Sequence, residues 1–126
     1  MKLSKFLFSM AKTPIGDYIV GTTFELLSKA LPVKRVFEND LVVAFWHPKP
    51  FWEQHILIVP KKKIKSMISL KESDMVFINE VFKTVKVVVD KLGWKEYTLL
   101  INGGDRQEVN QMHFHLCSGK ELNKND

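Results

Sequence analysis

Two histidines separated by one apolar residue lie near the carboxyl end of the chain, in the stretch His113-Phe114-His115. Imidazole can act as a nucleophile, a general base or a metal ligand near neutral pH, because its unperturbed pKa is about 6.5. Alternate residues of a strand point to the same side of a sheet. A strand over residues 110–118 would therefore carry one polar face, made of Gln111, His113, His115 and Cys117. The pattern predicts a chemical site on that face, or a solvated outer face of the sheet.

Zinc is one ligand that this face could hold, since imidazole nitrogen and thiolate sulfur are among its preferred donors. A single strand cannot surround a tetrahedral ion, so His55 or His47 would have to complete the set. Because the sequence offers no closed set of ligands, we predict a site without a metal or another cofactor. Cys117 is then interpreted as a buried or interface thiol.

The elements that position these histidines can be predicted from local signals. Thr13-Pro14 has the residue types of a helix N-terminus, and apolar residues at helical spacing continue to Pro32. A hairpin is predicted next, with strands over residues 33–37 and 41–47 joined by a polar turn.

The middle of the chain predicts the centre of the sheet. Residues 48–54 contain two prolines and are predicted to form a loop. His55–Pro60 is apolar at consecutive positions, which is typical of a central strand buried on both faces.

The second half of the chain predicts a long helix and two more strands. The capping-box spacing of residues 69–72 marks the helix start, and Gly93 marks its end. Its predicted apolar stripe is Met75, Ile78, Phe82, Val85, Val89 and Leu92, with Val81 and Val88 beside it. Strands over residues 97–102 and 110–118 follow, with a turn-rich loop between them. The predicted fold class is α+β, with a mostly antiparallel sheet of about five strands and two main helices.

Size and composition exclude several classes of protein. The chain of 126 residues fits one domain, which we place at residues 14–119 between an N-terminal lead-in (1–13) and a polar tail (120–126). One cysteine excludes a disulfide framework, and no apolar run approaches the roughly 20 residues of a membrane span. The short apolar run of residues 6–8 is a poor signal peptide, so we expect a cytoplasmic protein.

The net charge of +5 suits an anionic partner such as a nucleotide, a nucleic acid or a membrane surface. The basic run Lys61–Lys65 can equally be a solvated face of the protein. Asn102-Gly103-Gly104 ends a predicted strand, and such small residues let backbone N–H groups approach an anion. Asn-Gly is also a common turn signal, so this stretch alone does not decide the ligand.

Three motifs in the same order resemble the histidine triad (HIT) superfamily. They are the strand His55-Ile-Leu-Ile-Val-Pro-Lys-Lys, the turn Asn102-Gly-Gly, and the stretch Gln107-Glu-Val-Asn-Gln-Met-His-Phe-His-Leu116. The family signature alternates three histidines with apolar residues and follows a segment like Gly-Gly-Gln-x-Val. The resemblance covers about residues 14–119.

The resemblance implies a compact α+β homodimer that binds nucleotides and hydrolyses or transfers at the α-phosphate. His113 takes the position of the nucleophile that forms a nucleotidyl-histidine intermediate. His115 takes the position that contacts phosphate or leaving-group oxygens, and His55 that of an orienting or proton-relay group. The groups matched to phosphate and leaving-group binding are Asn102, Gln107, Glu108 and Val109.

The sequence departs from the pattern of this family at several positions of the expected site. Gln111 stands where the first histidine of the triad is expected, and glutamine can hydrogen-bond but cannot titrate. Because the nucleophile position is intact, we expect the chemistry to survive. His47 stands where relatives place an acidic residue that binds ribose hydroxyls. Arg106 replaces a small residue and can add a cation near the leaving group, or be a solvated loop charge.

Aromatic residues surround the loop before His55. Phe45, Trp46, Phe51 and Trp52 can form a wall for a nucleotide base, because every base offers a π-face. Core packing or a dimer contact is the alternative for each of them.

The sequence therefore predicts a nucleotide hydrolase or nucleotidyl transferase that acts on a phosphoramidate, a dinucleoside polyphosphate or a similar conjugate. A nucleotide-binding or signalling protein without activity is the first alternative, and a basic nucleic-acid-binding protein is the second. We expect a homodimer with a nucleotide substrate, no membrane association and no nucleic-acid partner.

Overall fold

The computed structural model describes residues 33–122. The predicted lead-in, the helix predicted between Pro14 and Pro32 and the last four residues lie outside this part of the chain. Within residues 33–122 no helix is long and apolar enough to cross a membrane.

In the described part of the chain, five antiparallel strands form one sheet, in the order β1-β2-β3-β5-β4. The strands are β1 (Arg35–Glu38), β2 (Val42–Trp46), β3 (Trp52–Pro60), β4 (Thr98–Leu100) and β5 (Phe114–Glu121). One helix, α1 (Met75–Leu92), joins β3 to β4. The predicted fold class is confirmed, with one of the two expected helices inside the described residues.

The predicted hairpin is present and has an identifiable turn. The side-chain oxygen of Asn39 accepts the backbone N–H groups of Leu41 and Val42, at 2.8 and 3.0 Å. Asparagine favours such turns because its side chain can replace a backbone acceptor. The turn fixes β1 beside β2.

The predicted central strand is also present, and β3 lies between β2 and β5. All of residues 55–60 are buried, as a strand covered on both faces requires. The strand begins three residues earlier than predicted, because Trp52 and Gln54 pair with Glu121 and Ser118 of β5. The proline loop is correspondingly shorter, and β5 extends into the segment predicted as the polar tail.

Helix α1 begins later than the capping box predicts. Ser69 ends a short 3-10 turn, Met67–Ser69, and a second turn spans Glu72–Asp74. The buried carboxylate of Asp74 accepts the backbone N–H of Lys71 and forms an ion pair with Lys62. The predicted end is confirmed, since Gly93 adopts the left-handed conformation (φ 66°) that favours glycine at a helix terminus.

The buried stripe of α1 differs from the predicted one. Its members are Ile78, Val81, Thr84, Val85 and Val88, whereas Met75 and Phe82 are exposed. Both stripes have helical spacing, because α1 is apolar on more than one side. The stripe that packs on the sheet contacts Ile56, Ile58, Phe114 and Leu116, which belong to the same core.

Candidate active site

The face of the sheet opposite this core carries most of the histidines. Cross-strand partners share a face, and one row of partners is Phe45, Leu57, His115 and Leu100. In the next row, His55 lies opposite Cys117, and the backbone N–H of His47 donates to the His55 carbonyl at 2.8 Å. We call this side the histidine face.

His113 lies just before β5 and is half-buried. Its Nδ1 atom is 2.7 Å from the backbone carbonyl oxygen of Gln111. A carbonyl can only accept, so Nδ1 carries the proton of the neutral ring and donates it to this bond. The lone pair therefore lies on Nε2. The His113 and His115 ring centroids are 5.2 Å apart, so a second imidazole lies beside the ring that carries this lone pair.

His55 and His115 form a buried hydrogen bond between side chains. The distance from His55 Nε2 to His115 Nδ1 is 2.8 Å. The other nitrogen of His55, Nδ1, accepts the backbone N–H of Phe51 at 3.0 Å. His55 consequently has its proton on Nε2 and donates it to His115, whose own proton lies on Nε2. That last nitrogen is buried and has no hydrogen-bond partner among residues 33–122.

His47 stacks on His55, with ring centroids 4.4 Å apart and an interplanar angle of 30°. Its Nδ1 accepts the backbone N–H of Lys49 at 3.0 Å. Its Nε2 therefore carries a proton and can donate, unlike the acidic side chain expected at this position. The structure places His47 beside His55 and His115.

All four rings are neutral at pH 7, mainly because burial disfavours the charged form. Burial, together with the smaller effect of the neighbouring imidazoles, lowers the pKa of His47 to about 4 and those of His55 and His115 to about 3. Burial also lowers the pKa of His113, against an opposing effect of the Gln111 carbonyl and the Glu108 carboxylate. The site thus combines one free imidazole lone pair with several N–H donors.

Acidification is expected to destabilise the fold through these rings. Histidines of the unfolded chain titrate near pH 6.5, whereas His55 and His115 in the folded chain stay neutral down to about pH 3. Between these values the unfolded chain binds more protons, so the free energy of unfolding falls as the pH drops through 6.5. We expect a loss of about 2 kcal/mol for each of the two between pH 7 and pH 5. Urea unfolding at both pH values measures it.

His55→Asn provides the control for this pH dependence, because it removes one titrating ring and keeps a polar side chain. Its free energy of unfolding should depend less steeply on pH than that of the unaltered protein. Identical pH dependences in the two proteins would contradict the assignment.

Ring nitrogens of His47, His55 and His115 lie within 4.8 Å of one another, which is close enough to consider a metal ion. A metal-bound imidazole usually donates its second N–H to an acceptor. Here the Nδ1 atoms of His47 and His55 accept N–H groups instead, so their remaining nitrogens carry protons. These hydrogen bonds favour the metal-free state that the sequence predicts.

Gln111 does not lie on a strand face with His113 and His115, because β5 begins only at Phe114. Its side-chain Nε2 donates to the carbonyl of Lys62 at 2.9 Å, and the carbonyl of Pro60 lies at 3.4 Å. The predicted polar row is therefore wrong at this residue. Gln111 acts on the site through its backbone oxygen, which holds His113.

Trp46 also lies away from the histidines. It pairs with Ile56 on the core side of the sheet and packs against the core. Phe45 is buried in the row that contains His115. The sequence contained the information needed to separate these two aromatic residues. Side chains alternate between the two faces of a strand, so Phe45 and His47 lie on one face and Trp46 lies on the other.

The residues predicted to bind phosphate or the leaving group, most of them in the loop before β5, have different surroundings in the structure. The Gln107 side-chain amide donates to the carbonyls of Lys65 and Val109, at 2.7 and 2.8 Å, so it holds the loop in place. Val109 is buried, Asn102 is half-buried after β4, and Glu108 is near enough to influence His113. Arg106 is exposed in a 3-10 turn and forms no ion pair with residues 33–122.

Sequence reasoning missed the two backbone donors that fix the ring protons. Proline has no N–H, so Lys49 and Phe51 are the residues of the Pro48-Lys-Pro-Phe51 stretch that can donate, and each donates to a histidine ring. The alternation of proline with other residues was the signal in the sequence. The loop is thus part of the site.

Other predicted features fall outside the histidine chemistry. Cys117 is buried, and burial raises the pKa of its thiol to about 11, so it is a structural thiol.

In the basic run, Lys61 pairs with Glu38 at 2.6 Å and Lys62 pairs with Asp74. Because these two lysines are paired with carboxylates, the basic run offers less unpaired positive charge to a nucleic acid than the sequence indicates.

Comparison with known sequences gives consistent matches. The family model for the HIT domain matches residues 28–122. An uncharacterized HIT-like protein of Methanocaldococcus jannaschii is 36% identical over 95 residues, which cover 73% of each chain. The adenylylsulfatase HINT1 of Arabidopsis thaliana is 31% identical over 121 residues, which cover 91% of this chain and 80% of that protein.

Solved structures share the same architecture. A histidine triad protein from Clostridium difficile superposes with a TM-score of 0.71 at 27% identity, and the match covers 82% of this chain and 93% of that one. A HIT family hydrolase from Clostridium thermocellum gives a TM-score of 0.72 at 27% identity, covering 81% and 92%. Each match spans most of the length of both proteins, with the larger share on the side of the solved structure.

Proposed function

Because the chain belongs to the histidine triad (HIT) family, we propose that it is a nucleotide hydrolase or nucleotidyl transferase whose nucleophile is His113. The observation that carries this proposal is the hydrogen bond from His113 Nδ1–H to the Gln111 carbonyl, which leaves the Nε2 lone pair free. The proposed substrates are nucleoside phosphoramidates, dinucleoside polyphosphates or similar conjugates. The name of the Arabidopsis relative, an adenylylsulfatase, supports a nucleotide conjugate as the substrate.

In the proposed reaction, His113 Nε2 attacks the α-phosphorus and displaces the leaving group. The imidazole becomes positively charged while Nδ1–H stays bonded to the Gln111 oxygen, which stabilises that charge. In this proposal the N–H of His115 donates to a phosphoryl oxygen as negative charge develops, which is supported by its lack of a hydrogen-bond partner among residues 33–122. Water, or another acceptor, then attacks phosphorus and releases His113.

The test combines turnover with trapping of the intermediate. The protein is incubated with a panel of adenosine and guanosine 5′-conjugates that differ in leaving group, quenched in acid-free denaturant, and analysed by mass spectrometry. We expect hydrolysis of at least one conjugate and a nucleotidyl adduct on His113. AMP or GMP binding without turnover or adduct across the whole panel would instead support the alternative of an inactive nucleotide-binding protein.

Gln111→His is expected to preserve activity. A histidine at this position can donate one N–H to the Lys62 carbonyl that the amide now contacts, and it removes an amide oxygen that has no partner among residues 33–122. Activity should stay or rise, and should not fall by more than about tenfold, which is about 1.4 kcal/mol of barrier. Steady-state kinetics on the best conjugate of the panel measures the change.

Gln111→Leu is the matched comparison, since it fills a similar volume and donates no hydrogen bond. It leaves the Lys62 carbonyl without this donor and loosens the backbone that holds His113. We expect a larger loss of kcat than in Gln111→His, and the reverse order would contradict the role assigned to this side chain.

A homodimer is the second part of the proposal. Helix α1 exposes apolar side chains that the sheet does not cover, namely Met75, Val76, Phe82 and Val87. Exposed apolar patches of this kind favour association with another chain. Sedimentation at micromolar concentration should show twice the chain mass of 14.6 kDa.

Two neighbouring variants test where the dimer contact lies. Phe82→Ser should weaken the dimer, whereas Lys83→Ser on the same exposed helix should not. A 14.6 kDa species in the unaltered protein would remove this part of the proposal.

A further inference from the structure

The segment that follows β3 is hydrogen-bonded to the loop that carries His113. Residues 61–66 belong to no strand or helix. Three of their carbonyl oxygens accept hydrogen bonds from residues 107–112. Gln107 Nε2 donates to Lys65, Gln111 Nε2 to Lys62, and Met112 N–H to Ile64, at 2.7, 2.9 and 2.7 Å. We call residues 62–65 the supporting segment.

The bond to Ile64 acts on the peptide group that holds His113. The Gln111 carbonyl and the Met112 N–H belong to one peptide unit, which is planar. The carbonyl accepts the His113 Nδ1–H, and the N–H donates to the Ile64 carbonyl. Fixing the N–H of a planar unit also fixes the direction of its oxygen, and chains of hydrogen bonds strengthen one another by polarisation. The supporting segment therefore helps to keep the proton of His113 on Nδ1.

The supporting segment is itself held by an ion pair at its first residue. The Lys62 ammonium pairs with the buried carboxylate of Asp74, which also accepts the backbone N–H of Lys71. Asp74 directly precedes α1, so this pair joins the segment to the helix. The bond from Lys62 holds the pKa of Asp74 below its usual range, so the carboxylate is charged at pH 7. The side chain of Ile64 packs in the core and fixes the middle of the segment.

We propose that the ion pair between Lys62 and Asp74 positions the nucleophile His113. The inference rests on the proposed function and adds two positioning residues to it, neither of which touches the substrate. Without the pair, the Lys62 carbonyl is a less fixed acceptor for Gln111, and the peptide unit after Gln111 can turn. The His113 ring then also adopts the tautomer with its proton on Nε2. That tautomer has no lone pair on the attacking nitrogen, so it cannot form the bond to phosphorus.

Two variants remove the pair from opposite sides. Asp74→Asn loses the charge and keeps an oxygen that can accept the Lys71 N–H. Lys62→Met loses the charge and keeps an apolar side chain beside the Phe77 ring, over which the ammonium now lies. Since displacement of a reacting group by a distant change can cost about a hundredfold in rate, we expect kcat to fall by about ten- to a hundredfold in each variant, with KM little changed. Unchanged kcat in both variants would overturn the inference.

A conservative variant and a neighbouring ion pair provide the controls. Lys62→Arg keeps a cation for Asp74 and should retain most of the kcat that Lys62→Met loses. Lys61→Met breaks the pair with Glu38, which is of the same kind but joins β1 and not α1. It should leave kcat unchanged although it also removes an ion pair. An equal loss of kcat in Lys61→Met would show a general effect of lost ion pairs and overturn the inference. Thermal unfolding of all four variants accompanies the kinetics.

Imidazole ¹⁵N chemical shifts of His113 test the inference without any substrate. In the unaltered protein at pH 7 we expect protonated Nδ1 and unprotonated Nε2. In Asp74→Asn the two shifts should move toward each other, because the ring exchanges between tautomers, whereas Lys61→Met should leave them in place. Unmoved shifts in folded Asp74→Asn would overturn the inference. Because this measurement needs no turnover, failure of every conjugate in the panel would count against the proposed function alone.

Discussion

Replacement of His113 by alanine is expected to lower kcat/KM by several decades while the sheet and helix remain folded. The ring is half-buried and lies outside the core between the sheet and α1, so the lost packing is small. Its loss removes one hydrogen bond to the Gln111 carbonyl, which contributes about 1 kcal/mol to stability. It also removes the free Nε2 lone pair, and each decade of rate corresponds to about 1.4 kcal/mol of barrier.

His113→Asn separates nucleophilicity from hydrogen bonding. Asparagine keeps an N–H donor and a polar side chain but has no nucleophilic ring nitrogen, so it should be as inactive as alanine. Turnover within about tenfold of the unaltered protein in either variant would contradict the assignment of His113. Thermal unfolding of both variants accompanies the kinetics.

His115→Phe is expected to lower kcat by about 10²–10³ with little change in KM, which is the typical cost of one lost donor to developing charge. Phenylalanine fills nearly the same buried space but cannot donate to a phosphoryl oxygen. His55 Nε2–H would also lose its acceptor, so some loss of stability should accompany the kinetic effect.

His115→Gln is the control that returns a donor. Its amide N–H can reach toward the same space without the rigidity of the ring, so it should recover part of the lost kcat. An unchanged kcat in His115→Phe would show that this N–H does not serve the reaction.

The parts of the fold that could be predicted are those fixed by local signals. Consecutive apolar residues identified β3, a polar turn identified the β1–β2 hairpin, and Gly93 identified the end of α1. The buried stripe of α1 could not be predicted in the same way. Phe82 and Val81 both belong to regular apolar spacings, and packing against the sheet decides which side is buried.

The candidate site was predictable for its histidines and less so for their neighbours. The alternation of His113 and His115 with apolar residues indicated a common site, and both rings are indeed adjacent. Gln111 was misplaced because the two-residue period holds only within a strand, and β5 begins at Phe114. The donors from Lys49 and Phe51 are backbone groups, which residue types reveal only indirectly.

The bond between His55 and His115 joins residues 60 positions apart in the chain, on the adjacent strands β3 and β5. Such a contact closes a long loop that includes all of α1, and contacts of this separation form slowly because the entropy of loop closure opposes them. Each strand supplies one of the two histidines, so neither strand can form the hydrogen bond alone. During refolding, the two imidazoles therefore titrate as they do in the unfolded chain until β3 and β5 pair. A change in their pKa during refolding would report when these two strands pair.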